Sequence, residues 1–300
     1  MRLDGIVAVV ARGGLLSPVA GGCYHVNDCM LDELRHASRG EHVANLGAFL
    51  AHAVAGRLGV PAYVVDPLSV NEWLRVARLS GCAQLERSCL ADALIAKATA
   101  RRYAAEAGRS YEDLRLVVAQ LGGGHNFSAH ASGRMIDSTN SREEGPLSEQ
   151  RAGSLPAMEL VRLCFGGGYT RSGMENMLTR EGGLLSYLGT GDLREVEQRI
   201  EEGDQQAGLV FRALAYQIAK EIGAMSCVLR GRIDAILLTG EMAHSRRLTD
   251  AVDEAVRWIA RVKVYPGEDA LQALVAGVLR MMRHEEPNRE YGELPERSPN

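Results

Sequence analysis

The fold class that the sequence predicts is α/β, and one repeated local pattern is the main reason. Apolar, β-branched runs that stop at a glycine-rich turn occur at 6–14, 116–124 and 235–243. Continuous apolar runs are typical of strands that are covered on both faces, and helical sequence lies between them. At 300 residues, the chain is long enough for two domains with separate cores.

Helices between these strands are predicted from capping residues and apolar spacing. Asn27 marks the start of the first helix, and Gly59, Gly108 and Gly231 follow the ends of three others. The predicted helices cover 28–37, 42–58, 86–107, 205–229, 245–259 and 268–284. They therefore alternate with the strand-like runs, as the α/β class requires.

The region 115–138 has a different pattern from the rest of the chain. Three short strand-like runs, LRLVVAQ, HNFSAHA and GRMIDS, are separated by a triple glycine and by Ser132-Gly133. Short runs divided by turn residues predict antiparallel neighbours. We therefore expect an antiparallel meander with the triple glycine at its first corner.

Two chain crossings define the predicted domains. A new series of strands begins at 115, and Pro266-Gly267 marks a return to the first domain. The first domain is predicted at 1–114 with 267–285, and the second domain at 115–266. The polar, proline-broken segment 286–300 is predicted to be a flexible tail.

Composition excludes several partners. The net charge is −4, the pI is about 6.1 and aromatic residues make up 5% of the chain. Such a chain lacks the basic surface and the stacking side chains that nucleic acid requires, and it has no attraction for an anionic membrane. We expect neither nucleic acid nor a membrane as a partner.

The six cysteines and the N-terminal sequence predict a cytoplasmic protein. The cysteines form no CxxC pair and have no histidines at zinc spacing, so reduced thiols are expected. The opening apolar run is interrupted by Asp4 and Arg12, unlike a signal peptide or an anchor.

The triple glycine after Leu121 is the first candidate functional motif. Without side chains, the backbone N–H groups of Gly122, Gly123 and Gly124 can approach an anion closely, as in phosphate loops. An ordinary hairpin turn has the same composition, and the motif alone leaves both interpretations open.

The residues around the triple glycine carry a family resemblance. The string VAQLGGGHNFSAHASGRMIDSTNSREEGPLSEQRAGSLP at 118–156 resembles the corresponding segment of butyrate kinases, and so do ARGGLL at 11–16 and GEHVANLG at 40–47. Further similar segments are VVDP, AILLTGEMAHS and VYPGEDALQALVAGVLR. The resemblance implies the acetate and butyrate kinase branch of the actin-like, ribonuclease H-like superfamily, with two domains, ATP and Mg²⁺.

The resemblance also implies catalytic residues. Arg12 in ARGG and Arg151 in EQRAG would hold the carboxylate and the transferring phosphoryl group, for which planar guanidiniums suit. Asp66 in VVDP would orient or deprotonate the acid, although a turn aspartate is the alternative. His42 would lie near the transferring phosphate, and a helix-capping or surface histidine is its alternative.

Nucleotide and metal residues follow from the same resemblance. Gly122, Gly123 and Gly124 would cradle the nucleotide phosphates, and Gly240 would lie near the adenosine in a loop that continues with Glu241. Glu268 would help to hold Mg²⁺. A glutamate of the first helical turn, favoured by the helix dipole, is the alternative for Glu268.

Several positions depart from the family pattern. Family members begin with an N-P-G-S-T-S-T-K type motif, which this chain lacks, so the first domain is expected to miss its opening strands and first phosphate loop. Gln120 stands in place of a histidine, Ala152 in place of a serine and Glu241 in place of a glycine. The segment His125-Asn126-Phe127 replaces smaller, more apolar residues.

The expected function is that of a butyrate kinase-like phosphotransferase. ATP and butyrate, or a similar short or branched acid, would give ADP and acyl phosphate reversibly, in a homodimer or larger homo-oligomer. Two alternatives remain open because of the departures. One is a catalytically impaired relative that binds nucleotide or a partner, and the other is one piece of a split kinase.

Overall fold

The computed structural model describes residues 5–292, and these divide into two compact units. The first unit contains the described residues through Ala98 together with those from Asp269 onward, and the second is Thr99–Glu268. The predicted domain boundaries at 114/115 and 266/267 differ from this division and stay predictions about domains.

The described residues form nine strands and ten α-helices, numbered in chain order. The strands are β1 (Val9–Arg12), β2 (Cys23–His25), β3 (Ala62–Val65), β4 (Arg115–Gln120), β5 (Asn126–Ala131), β6 (Arg134–Ser138), β7 (Ala235–Gly240), β8 (Val262–Pro266) and β9 (Asn288–Glu290). The helices are α1 (Asp28–His36), α2 (Asn45–Leu58), α3 (Ala93–Glu106), α4 (Ala157–Phe165), α5 (Arg171–Thr179), α6 (Gly183–Leu188), α7 (Leu193–Glu201), α8 (Gln205–Val228), α9 (Arg246–Val256) and α10 (Ala270–Met282). Short 3-10 helices lie at Arg75–Arg78, Tyr111–Asp113 and Glu241–His244.

The first unit is built on a four-stranded mixed sheet of order β1-β3-β2-β9. Strand β3 lies parallel to β1 and antiparallel to β2. Its residues alternate between two cores, because Val64 packs with α1 and α2 whereas Tyr63 and Val65 pack with α10. Burial on both faces explains why the run AYVV is apolar throughout.

The second unit is built on a five-stranded sheet of order β6-β5-β4-β7-β8. Strands β4, β7 and β8 are parallel, whereas β4, β5 and β6 form antiparallel neighbours. The predicted meander at 115–138 is therefore confirmed. Helix α8 covers one face, where Phe211, Leu214 and Ile218 join the main core.

The predicted helices are confirmed in position, with one start in error. The helix expected from residue 86 begins at Ala93, because residues 79–92 form turns and extended chain. The other five observed helices, α1, α2, α8, α9 and α10, begin and end within three residues of the prediction.

The predicted flexible tail was wrong for part of its length. Strand β9 pairs in parallel with β2, and the buried Tyr291 hydroxyl accepts from the Ser17 N–H at 3.1 Å. The Asn27 side chain also donates to the Tyr291 carbonyl at 2.9 Å. These contacts fix the segment despite its polar composition, and residues 293–300 lie outside the described residues.

Two further predictions concern thiols and membranes. The cysteines, all within residues 5–292, form no disulfide. Across the same residues, each helix is too short or too polar to cross a bilayer.

Candidate active site

Arg12 and Asp66 lie at the same edge of the first sheet. In the parallel pair of β1 and β3, Arg12 is opposite Val65, and Asp66 follows directly. Arg12 Nη2 donates to Asp92 Oδ2 at 2.6 Å. The carboxyl edge of parallel strands, where ligands bind in open α/β sheets, therefore carries both predicted residues.

Asp66 is buried and has an unusual backbone conformation. Its side chain is 3% exposed, and Oδ1 accepts the Gly22 N–H at 2.8 Å. Its φ of 40° falls in the left-handed region, which non-glycine residues adopt infrequently. Asp66 also lies in a bend directly before Pro67, so the alternative of a turn aspartate stays open.

A buried ion pair beside Asp66 was missed by sequence reasoning. Lys97 is 2% exposed, and its Nζ lies 2.8 Å from both carboxylate oxygens of Glu72. A Cβ on Gly21 would lie 2.3 Å from Lys97 Nζ and 2.9 Å from oxygens of Asp66 and Glu72, so the three charged groups converge there. A lysine inside the apolar run LADALIAKATA was the available clue.

His42 lies in an exposed turn before α2. Its Nδ1 accepts the Ala44 N–H at 3.1 Å, which is a local capping contact. Asn45 ties this turn to the segment after Arg12, because its side chain accepts from the Leu15 N–H at 2.9 Å and donates to the Gly40 carbonyl at 3.1 Å. The His42 turn is thus attached to the strand end that carries Arg12, and its imidazole remains exposed.

The triple-glycine loop connects β4 and β5. The Gly122 N–H donates to His125 Nδ1 at 3.2 Å, whereas the N–H groups of Gly123 and Gly124 have no acceptor among residues 5–292. A Cβ on Gly124 would lie 2.1 Å from Arg151 Nη1, so only glycine permits this approach of the guanidinium. Two backbone donors and one arginine are therefore available to an anion.

The Arg151 guanidinium is fixed by hydrogen bonds to Ser141. Its Nη1 donates to the Ser141 carbonyl and to Ser141 Oγ, each at 2.9 Å. Burial, and then the charge of Arg142, lower the pKa of the Arg151 guanidinium. Within the described part of the chain Arg151 forms no ion pair, so this partly buried cation lacks an anionic partner. Such an environment favours binding of an anion.

His125 is buried under the loop. It is 2% exposed, and burial, followed by the charge of Arg151, lowers its pKa to about 3. The imidazole is therefore neutral at pH 7, and because Nδ1 accepts the Gly122 N–H, the proton is assigned to Nε2. His125 thus orders the loop without adding a second positive charge.

The pH dependence of unfolding tests this environment of His125. Because its folded pKa is below the ordinary 6.5, the unfolded chain takes up the proton first as the pH falls. The contribution of neutral His125 to the free energy of unfolding is complete above pH 6.5 and is lost as the pH falls towards 3. The free energy of unfolding then falls by up to about 1.4 kcal/mol per pH unit. In urea titrations at pH 7, 6, 5 and 4, the free energy of unfolding of His125→Gln should decrease less steeply with falling pH than that of the wild type. Equal slopes would contradict the assignment.

A carboxylate also borders the glycine loop. Glu149 Oε2 would lie 3.5 Å from a Cβ on Gly123. Burial, and then the charges of Asp192 and Glu241, raise the pKa of Glu149. Sequence reasoning did not single out Glu149, since nothing in EQRAG distinguishes it from a solvent-exposed glutamate.

The carboxyl edge of the second sheet also carries Gly240, Glu241 and Glu268. Gly240 has φ 93°, and a Cβ there would lie 2.2 Å from the Leu121 carbonyl oxygen. Its backbone pairs with Gly267 on β8's continuation, with N–H to O distances of 3.2 and 3.0 Å. Because β4, β7 and β8 are parallel, the loops that follow them meet at one edge.

Glu268 is positioned by Gln120. Gln120 Nε2 donates to Glu268 Oε1 at 2.6 Å. Helix α10 begins only after its N-cap Asp269, so the alternative of a first-turn helix glutamate was wrong. No group of three or more His, Cys, Asp or Glu in residues 5–292 is arranged to hold a metal. One carboxylate nevertheless suits Mg²⁺, which commonly binds one or two carboxylates together with nucleotide phosphates.

Glu241 stays at the surface. Its side chain is 72% exposed and lies 4.0 Å from His244 Nε2.

The predicted residues form two sets. The first unit carries Arg12, Asp66 and the His42 turn, and the second unit carries the glycine loop, Arg151, Gly240 and Glu268.

Comparison with solved structures first defines the fold. The fold resembles acetate kinase from Porphyromonas gingivalis, with a TM-score of 0.81 and 18% identity, over 94% of this chain and 79% of that one. Acetate kinase from Entamoeba histolytica gives 0.79 and 15% over 93% and 80%, and a propionate kinase from Francisella tularensis gives 0.69 and 16% over 89% and 78%. The predicted two-domain, actin-like α/β fold is therefore confirmed.

The sequence then gives the family. The pattern of the acetokinase family matches residues 96–256, more than half of the chain, and the chain belongs to that family. Its members are carboxylate kinases, phosphotransferases that use a carboxyl group as acceptor, and they use ATP, generally with Mg²⁺. The prediction of a carboxylate kinase is confirmed at this level.

Proposed function

We propose that this carboxylate kinase phosphorylates butyrate or a similar short or branched acid with ATP and Mg²⁺, reversibly giving acyl phosphate and ADP. The observation that carries the phosphate-binding part is Arg151, a partly buried cation that lies against Gly124 and forms no ion pair within residues 5–292. The preference for butyrate rests on the motif resemblance around the same loop.

The chemistry explains why cations matter more than a base. A carboxylic acid is ionised at neutral pH, so its oxygen is already a nucleophile and no proton has to be removed. The carboxylate oxygen attacks the terminal phosphorus while the bond to ADP breaks, and two anions must be brought together. Arg12 offsets the negative charge of the acid, Arg151 offsets that of the phosphoryl group, and Asp66 orients groups at the acid end.

Separate residues are proposed to bind the nucleotide. The N–H groups of Gly123 and Gly124 donate to phosphate oxygens, and Arg151 stabilises the charge that develops on the transferring group. Gly240 leaves room beside the adenosine, and Glu268, held by Gln120, binds Mg²⁺ together with the phosphates. Mg²⁺ supplies charge neutralisation on the phosphates.

Trapping of acyl phosphate by hydroxylamine tests this function. With ATP and Mg²⁺, we expect more hydroxamate from butyrate and isobutyrate than from acetate. Arg12→Ala should lower kcat/KM for the acid by about 10²-fold, since a charged donor to the substrate is lost. The matched control Arg35→Ala, which breaks an exposed pair with Asp32, should leave it unchanged.

Two outcomes would count against the proposal. No hydroxamate from any acid would exclude turnover, and faster reaction of acetate would exclude the preference for butyrate. If ATP still bound without hydroxamate formation, the second candidate would apply, a nucleotide-binding relative without turnover. Glu241 favours that candidate, because it places an exposed negative charge in the loop proposed to receive adenosine.

A further inference from the structure

The only ion-pair partner of Arg12 among residues 5–292 is Asp92. The Asp92 carboxylate contacts both the arginine and a helix start: Oδ2 accepts from Arg12 Nη2 at 2.6 Å, and Oδ1 lies 3.5 Å from the Ile95 backbone nitrogen at the start of α3. The Asp92 carbonyl also accepts the Ala96 N–H at 3.0 Å. Asp92 is thus fixed by the helix start and presents one oxygen to the arginine.

The pair occupies part of the guanidinium. A guanidinium has five N–H donors in a planar fork, and a carboxylate binds it best through two parallel hydrogen bonds. Asp92 takes one donor from the Nη2 side, and the Arg12 side chain is 38% exposed. A second carboxylate arriving at Arg12 therefore meets a negative charge already bound there.

We propose that Asp92 sets the affinity of the enzyme for its acid by competing with the substrate carboxylate for Arg12. The inference rests on the proposed function, in which Arg12 binds the acid. Asp92 then lowers the affinity for every carboxylate by the same factor and does not discriminate between acids. The repulsion acts on the carboxylate group, which is common to acetate, propionate and butyrate, and not on the hydrocarbon tail.

Asp92→Asn separates this role from helix capping. Asparagine is as good a helix N-cap as aspartate, so its side-chain oxygen keeps the contact with α3 while the charge is removed. Asp92→Ser, a smaller neutral cap, provides a second variant. Asp204 supplies the matched control, because it caps α8 through Oδ1 and pairs with Arg199 through Oδ2.

Calorimetric titration with acetate and with butyrate tests the proposal without turnover. Asp92→Asn and Asp92→Ser should bind both acids about fivefold more tightly than the wild type, the size expected from a partly exposed charge. The increase in affinity of the Asp92 variants over the wild type should be smaller at high salt, since salt screens the repulsion between Asp92 and the acid carboxylate. Asp204→Asn should bind both acids as the wild type does, and adding Arg12→Ala to Asp92→Asn should remove the gain.

Unchanged or weaker binding in both Asp92 variants would overturn the proposal, and so would the absence of acid binding in every variant. A gain for butyrate alone would indicate a change in pocket shape and would also overturn it. The proposed function is tested independently of the role of Asp92. If no acyl phosphate forms but Asp92→Asn binds both acids more tightly, only the proposed kinase activity is contradicted. If acyl phosphate forms and the affinities do not change, only the role of Asp92 is lost.

Discussion

Replacing Arg151 with alanine should lower kcat for acyl phosphate formation by about 10³-fold. Loss of one preorganised donor to developing charge typically costs about 10² to 10³ in kcat, and transition-state arginines in phosphoryl transfer reach higher values. Here Nη1 is fixed by two hydrogen bonds to Ser141, so the guanidinium is held in place before ATP binds. The loss should therefore appear in kcat as well as in the KM for ATP.

Arg151→Lys and Arg180→Ala make this measurement specific. Lysine keeps a positive charge but lacks the planar fork, so it should recover only part of kcat. Arg180, an exposed arginine of the same unit, should be replaceable without loss. A kcat for Arg151→Ala within tenfold of the wild type, in hydroxamate assays at saturating ATP and acid, would exclude a role in the transition state.

The parts of the fold that could be predicted from the sequence are those determined by residues close to one another along the chain. The runs that form β1, β4 and β7 are followed or ended by glycines because the chain turns there. Gly240 and Gly124 have no room for a Cβ. Helix ends were predictable for the same local reason, since capping residues lie next to them. These patterns need no knowledge of distant residues.

The parts that could not be predicted depend on distant partners. Asp92 and Arg12 are separated by 80 positions, and Lys97 and Glu72 by 25. The segment at Asn288–Glu290 is too polar to predict a strand, and it becomes one because β2 offers a backbone edge. In the candidate site, motifs therefore indicated which residues to consider, and their roles stay predictions. Their hydrogen-bond and ion-pair partners could not be predicted from the motifs.

The buried pair of Lys97 and Glu72 gives the second large prediction. Lys97→Met should lower the free energy of unfolding by about 3 to 5 kcal/mol, because Glu72 loses the cation that binds both its oxygens. The lysine stem fills a fully buried position, so methionine preserves most of the packing. The loss is electrostatic and comparable with the whole stability of a marginal domain.

A second substitution distinguishes charge from packing. Adding Glu72→Gln to Lys97→Met should restore much of the loss, since the amide oxygen still accepts the Gly21 N–H and the buried negative charge is removed. Arg35→Met, which breaks an exposed pair, should cost less than about 1 kcal/mol. Urea unfolding, monitored by hydrogen exchange of the amides in β3 and α3, measures the stability of the three variants. A cost of less than about 1 kcal/mol for Lys97→Met alone would contradict the prediction that the buried pair of Lys97 and Glu72 stabilises the protein.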